Sequence, residues 1–387
     1  MVKKWLAEQA SLHTARDNAL LIRAADCLCK NKMVAPVGEF LSGQTVIVPS
    51  KQTYHGVWNW DSAFIALAVS HWDVNLALSQ IKIFFENQDK TGMFPDVLYL
   101  NGTAITRTSK PPVFAWVLHE IAKRNVDFDI RYFYDKLVKN EKFWCYHRKA
   151  GDLFHYDAFT RNEGYEGYER DCRNESGWDN SVRWDTGAEN LWAVDLNCYM
   201  VLFYRAMTYF AEHLNENDDA KLWRAKEKVL AEQIEKILWD EERGFYCDYD
   251  FDEEKSTGIL SPAGFMPLFS GIATKQHAEC CYAKVKDKKY FYPYIPTVSY
   301  NDKKYSPEDF WRGPTWLNTW YFVVMGLHNY GYSDMATELK EILLSTCDRE
   351  KEDIYEYYNS VTGEGLGAAQ FSWSAVFIIE TILNSTC

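Results

Sequence analysis

Apolar positions along this chain recur mostly at three- and four-residue steps. Over residues 3–30 they fall at Leu6, Ala10, Leu12, Ala15, Ala19, Leu20, Ile22, Ala25 and Leu28, which predicts an amphipathic helix broken once. The same period predicts helices near 59–71, 74–88, 112–124, 130–149, 188–213, 217–239, 263–271, 276–285, 314–329, 334–347 and 368–384. The stretch 217–239 is the clearest: it opens on acidic residues and carries a stripe of Leu222, Ala225, Val229, Ile234 and Leu238. Strand-like runs are few, namely VIVPS after Gln44 and YCDYDFD at 246–252. No glycine-rich phosphate loop follows a strand, which argues against a nucleotide-binding α/β fold.

Twelve helices spread over this length give ~30 residues per helix and loop, close to the size of a helical-hairpin unit. An all-α toroid of six helical hairpins, the (α/α)6 barrel, holds them as one domain over residues 1–387. An open α-solenoid fits the count equally well. The helices are plain, whereas Trp, Tyr, Asp, Glu, Gly and Pro gather in the loops near 54–61, 92–112, 150–187, 286–313 and 351–367. In a toroid, the loops of one end converge on the central funnel, so a pocket is expected there.

Composition narrows the ligand. The 15 Trp, 25 Tyr and 22 Phe make 16% of the chain, and Trp and Tyr stack on the C–H faces of sugar rings. A net charge of −13 sets up long-range repulsion against nucleic acid and anionic membrane. The ten Cys form no CxxC pair and no zinc spacing, which fits buried thiols in a reducing compartment. The opening MVKKWLAEQASL lacks the apolar run of a signal peptide, and no stretch approaches the roughly 18 apolar residues of a membrane helix. The expectation is a cytoplasmic protein with a small carbohydrate partner and no metal or cofactor.

Four segments carry candidate chemistry. In ESGWDNSVRWD (175–185), three carboxylates, Arg183 and the rings of Trp178 and Trp184 crowd together. A carboxyl beside Trp rings has its pKa raised by desolvation, as a general acid needs; an acidic loop closed by an Arg salt bridge fits the same residues. YEYYN (355–359) sets Glu356 among tyrosines ahead of the turn TGEGLG, or forms a surface turn. In WRGPTW (311–316), Pro314 is placed in the first turn of a helix, with Trp311, Arg312 and Trp316 at its mouth. In WNWD (58–61), Asp61 either caps the next helix or binds sugar hydroxyls beside Trp58 and Trp60. Gly92–Asp96 adds a turn with one carboxylate, and Arg107 and Lys110 add cations.

Together these segments resemble the (α/α)6 glycoside hydrolases of family 63 and the related family 37 trehalases. The resemblance is carried by WNWDSAF, ESGWDNSVRWD, FWRGPTW, YEYYNSVTGEGLG and FSWSA (371–375), in order from about residue 54 to 375. It implies an inverting exo-α-glycosidase. The Asp after SGW, here Asp179, is then the general acid, and the late Glu, here Glu356, the general base, with Glu364 as fallback. Trp58, Trp60, Asp61, Trp178, Arg183, Trp311, Arg312, Trp316 and Trp373 become the substrate-binding set. An α-glucoside is the first expected substrate; a mannosylglycerate, a glucosylglycerate or another α-mannoside is the alternative, with Arg107 or Lys110 for a glycerate carboxylate. Rivals of another class are a sugar epimerase, which would use His, and a noncatalytic sugar-binding protein. Of nine His, none falls in the five quoted motifs, and His55 lies just before the first.

Overall fold

The computed structural model describes residues 1–387 except 42, 125, 158–171, 186–189, 350, 352 and 385–387. Its helices are α1 (Val2–Gln9), α2 (Ala15–Lys30), α3 (Asn59–Val69), α4 (Val74–Glu86), α5 (Phe114–Ala122), α6 (Ile130–His147), α7 (Cys172–Ser176), α8 (Val194–His213), α9 (Asn217–Ile237), α10 (Met266–Phe269), α11 (Lys275–Lys286), α12 (Leu317–Asn329), α13 (Ser333–Arg349) and α14 (Ser372–Asn384). Apart from α1 and the short α7, they alternate between two kinds. In α3 every residue is buried, and α5, α8, α10, α12 and α14 are nearly as apolar all round. By contrast α9 buries only Ala220, Trp223, Leu230 and Ile234. A helix apolar on all sides has to lie inside, and a one-striped helix outside it.

The six inner helices pack in chain order, α3 on α5, then α8, α10, α12 and α14, and α14 returns to α3. Outer helices back them: α4 on α3, α9 on α8, α13 on α12, and α2 on α14. The ring closes, so the architecture is the (α/α)6 barrel and not the open solenoid. Among the described residues no helix is long and apolar enough to cross a membrane. Of the eight cysteines described as free thiols, five are buried, while Cys29 is exposed; Cys387 and the side chain of Cys172 lie outside the described residues.

Several boundaries differ from the sequence expectation. The first long stretch is two helices, as expected, broken at residues 10–14. Residues 355–369, read as loop and helix start, form a hairpin in which Tyr355–Tyr358 pairs antiparallel with Gly365–Ala369. The helix expected from 314 begins at Leu317. Pro314 therefore does not open it; instead Thr315 and Tyr358 exchange backbone hydrogen bonds of 2.8 and 2.9 Å. Gly313 is required for another reason, since a Cβ there would collide with the Ser306 carbonyl.

Side-chain caps occur on four of the outer helices, though α9 lacks one. Outer helices α2, α4, α6 and α11 are capped by the side chains of Thr14, Asp73, Asp129 and Thr274. Inner helices α3, α5, α8, α10 and α12 have no side-chain cap. Trp58 and Trp316 occupy the cap positions of α3 and α12 instead, so these starts present aromatic rings to the funnel.

The ring is fastened where the first and last hairpins meet. Asn31, buried at the end of α2, donates from Nδ2 to the Gln370 carbonyl (2.6 Å) and to Ser372 Oγ (2.9 Å), while its Oδ1 accepts from Lys51 N–H (3.1 Å). Ser372 N–H donates to the Pro49 carbonyl, and Ser372 Oγ to the Val48 carbonyl (both 2.8 Å). Asn31→Ala strands these buried partners. A loss of about 2–4 kcal/mol is expected in urea unfolding; a loss below about 0.5 kcal/mol would mean that helix packing alone closes the ring.

Candidate active site

The uncapped starts of α3 and α12 and the start of α14 open on a cavity of about 520 Å³. Of the sequence-predicted residues, Trp58, Trp60, Asp61, Asp179, Trp311, Trp316, Glu356 and Trp373 line it. Tyr54, Lys110 and Asn174 join them. Trp178, Arg183 and Arg312 do not.

Glu356 lies at the buried side of the pocket, 5% exposed. The hairpin that carries it loses register between Tyr355 and Tyr357, which leaves Gly367 and Ala368 bulged opposite it. Bulges of this kind re-aim a side chain. Here the bulge turns Ala368 N–H onto Glu356 Oε2 (2.9 Å). Gly367 has φ +73°, and a Cβ there would come 2.7 Å from Glu356 Oε2, so glycine is needed on both counts. Tyr54 O–H donates to Glu356 Oε1 at 2.6 Å. Burial pushes the Glu356 carboxyl above its ordinary value; the Tyr54 and Ala368 hydrogen bonds pull it back, and the Asp179 charge adds to the rise.

Asp179 is exposed, so the desolvation expected from its Trp neighbours is not supplied by the protein alone. Its position is nonetheless fixed from both sides. Gly177 has φ +72°, and a Cβ there would collide with the Trp60 ring; only glycine lets this turn pass so close. On the other side, Asn180 Oδ1 accepts from Trp311 N–H (2.9 Å), Asn180 Nδ2 donates to Asp309 (2.8 Å), and Arg312 donates to the Asn180 carbonyl (2.9 Å). The turn that carries Asp179 is thus strapped to the WRGPTW segment.

Asp61 sits in the first turn of α3, whose cap position is Trp58, so it is not the cap that sequence alone allowed. Its carboxyl faces the pocket, and burial pushes it up to about 8 against the opposing charge of Lys110. Asp96 lies behind it, also pushed up by burial, to about 6, with Lys110 and Asn174 opposing. Asn174 Nδ2 donates to Asp96 Oδ2 (2.7 Å), and Lys110 Nζ stands 3.4 Å from Asp96 Oδ1 and donates to the Asn174 carbonyl. Lys110 is the cation that lines the pocket; Arg107 is exposed and outside it.

The aromatic wall is continuous. Trp311 and Trp316 stack at 4.0 Å with planes 10° apart, Trp316 continues onto Tyr357 (5.1 Å), and Trp60 meets Trp373 edge-on at 4.5 Å. Trp178 lies behind Trp311 at 5.0 Å.

Three residues expected at the sugar subsite, and one fallback, stand elsewhere. Arg183 is 1% exposed and donates from Nε and Nη2 to Asp248 (2.7 and 2.9 Å) and from Nη2 to Asp195 (2.7 Å). It is sandwiched at 4.7 and 4.8 Å by Trp178 and Trp184. A guanidinium so enclosed holds the loop to α8 and has no face left for a sugar. Arg312 pairs through both Nη atoms with Asp185 (3.1 and 2.5 Å), which Lys304 also meets at 3.0 Å. Trp178 supports the wall from behind. Glu364 is exposed at the hairpin turn and outside the pocket, which leaves Glu356 as the carboxylate of that segment. Glu175, the first acid of ESGWD, is fully buried in a two-bond pair with Arg148 (2.7 and 2.8 Å). Tyr54 was missed because its partner lies 302 residues away; its place in the loop before WNWD was the only hint.

Known proteins resemble this chain in sequence and fold. Mannosylglycerate hydrolases of Rubrobacter radiotolerans and Thermus thermophilus are 24% and 27% identical to this chain over 87% and 86% of its length, and over 92% and 95% of their own. A crystal structure of a GH63 mannosylglycerate hydrolase from Thermus thermophilus in complex with glucose superposes with a TM-score of 0.77 at 24% identity, covering 93% of this chain and 99% of that one. The family model described as the mannosylglycerate hydrolase MGH1-like glycoside hydrolase domain matches residues 54–374, and the chain belongs to that family of glycoside hydrolases.

Proposed function

We propose that this glycoside hydrolase is an inverting, exo-acting α-glycosidase, and that mannosylglycerate or another α-mannoside is its substrate ahead of an α-glucoside. One observation carries the reaction: Asp179 and Glu356 line a single aromatic pocket, and the Asp179 charge acts on Glu356. In the proposed reaction Asp179 protonates the glycosidic oxygen. Glu356, ionised, takes a proton from a water that attacks the anomeric carbon from the opposite face, through an oxocarbenium-like transition state. Inversion needs the two carboxyls roughly 6.5–9.5 Å apart to admit that water. Asp179 gains its desolvation when the sugar covers it. Asp61, with burial raising it to about 8, and Asn174 offer hydrogen bonds to glycone hydroxyls. The preference for mannosylglycerate comes from the relatives that bear that name. The glycone is neutral in this reading, because among the described residues Asp61, Asp179 and Glu356 line the pocket with one cation, Lys110, which itself lies beside Asp96. Among the described residues no histidine lines the pocket, which leaves an epimerase without its usual proton carrier.

Proton NMR of turnover on mannosylglycerate, glucosylglycerate, trehalose, kojibiose and nigerose tests this directly. The β-anomer is expected first; an α-anomer first would make the enzyme retaining and remove the water-activating role of Glu356. Asp179→Asn and Glu356→Gln should each lower kcat/KM by about 10²–10⁴-fold with sugar binding retained, whereas Glu364→Gln should not.

The pH profile supplies a second test. The base must be ionised, so kcat/KM should fall as pH drops through a value above the ordinary 4.5 of a Glu, since burial raises Glu356. Tyr54→Phe deletes a hydrogen bond that favours the ionised form. Its acid limb should therefore move to higher pH. A limb that stays put, or moves down, would show that Glu356 is not the group being titrated.

A further inference from the structure

The turn that carries Asp179 is strapped at its exit, from Asn180 to Trp311 and Arg312. Its entry is held by a different device, built around Asp96. This residue is 1% exposed and does not line the pocket. Its backbone is pinned between two elements: its N–H donates to the Ile105 carbonyl (2.9 Å), and its carbonyl accepts from the N–H of Asn59, the first residue of α3 (2.8 Å). Its carboxyl reaches α7. Oδ2 accepts from Asn174 Nδ2 (2.7 Å), and Oδ1 lies 3.4 Å from Lys110 Nζ. Lys110 in turn donates to the Asn174 carbonyl and, at 3.3 Å, to Asn174 Oδ1. The same carbonyl accepts from the N–H of Gly177 (3.2 Å), the glycine that passes Trp60 just before Asp179.

A buried ion pair seldom adds net stability over apolar packing. What this one adds is direction. A carboxylate only accepts hydrogen bonds and an ammonium only donates them. Asp96 therefore takes the Asn174 amide by its nitrogen, and Lys110 takes both Asn174 oxygens. A neutral amide in place of Asp96 bonds with either end of Asn174, which gives the end of α7 two settings instead of one. Burial raises the Asp96 carboxyl, Lys110 and Asn174 hold it down, and the Asp179 charge adds to the rise, so the two acids share one neighbourhood.

We infer that Asp96 is a positioning residue for the acid: through Lys110 and Asn174 it sets the end of α7, and with it the turn from which Asp179 reaches the glycosidic oxygen. This rests on the acid role proposed for Asp179. Fluoride leaves as the anion and needs no proton from that acid, whereas an alkoxide needs one. The test is therefore a ratio: kcat/KM on mannosylglycerate, or on whichever glycoside of the NMR panel the wild type turns over best, divided by kcat/KM on the α-fluoride of the same sugar. Both substrates share a glycone, so weaker glycone binding or a smaller folded fraction cancels in the ratio. Asp96→Asn should lower it about 10–100-fold, and Asp179→Asn more. If Asp96→Asn does not fold, Lys110→Met breaks the same bridge from its other end and should lower the ratio likewise. A ratio that falls in Asp179→Asn but stays within about twofold of wild type in Asp96→Asn, or in Lys110→Met where that stands in, overturns the positioning role alone. A ratio that Asp179→Asn leaves unchanged overturns the acid role and the positioning role with it.

Discussion

Everything at the catalytic end depends on the ring closing at one buried polar seam. Asn31 and Ser372 tie the end of α2 to the start of α14, through Val48, Pro49, Lys51 and Gln370. Each of these groups is expensive to leave unpaired away from water, so the seam tolerates one register. That register has a consequence a few residues away on each strand. It sets Tyr54 against Glu356 and aligns the bulge at Gly367 and Ala368 with the same carboxylate. Closure of the fold and placement of Glu356 are therefore one constraint, met by the two ends of the chain together.

A second theme is the division of labour among charges. The cations most conspicuous in the motifs, Arg183 and Arg312, serve structure: one is enclosed between two Trp rings and two Asp, the other strapped to Asp185. Breaking a buried pair of the first kind leaves carboxylates without a counterion and costs about 3–5 kcal/mol. The pocket itself is left rich in acid. Burial raises Asp61, Asp96 and Glu356 alike, and Lys110 restrains the first two while Tyr54 and Ala368 restrain the third. Such a floor suits a ring that offers hydroxyl donors and develops positive charge.

Much of this was legible in the chain. Helical period and loop composition located the inner and outer helices and the loops that form the pocket, and the motif resemblance selected the closed ring. Eight of the predicted site residues do line one cavity. The failures share a cause. Whether an Arg in an acidic loop binds ligand or clasps a distant helix depends on partners such as Asp248, which no local pattern reveals. The same holds for Glu175 with Arg148, and for Tyr54 with Glu356. Pro314 beside a periodic apolar run reads as a helix start, but the backbone pairing of Thr315 with Tyr358 delays the helix by three residues.

The two carboxyls are prepared in different ways, and that difference bears on the proposed chemistry. Glu356 is buried, holds two hydrogen bonds that favour its ionised form, and owes its geometry to the protein alone. Asp179 is exposed, and the backbone beneath it is fixed by the approach of Gly177 to Trp60 and the strap from Asn180 to Trp311 and Arg312. A base that must be ionised before substrate arrives profits from permanent hydrogen bonds. An acid that must hold its proton only while a glycosidic oxygen lies against it profits from an environment that the sugar completes. Under the role proposed for it, Asp179 meets that environment once sugar fills the pocket.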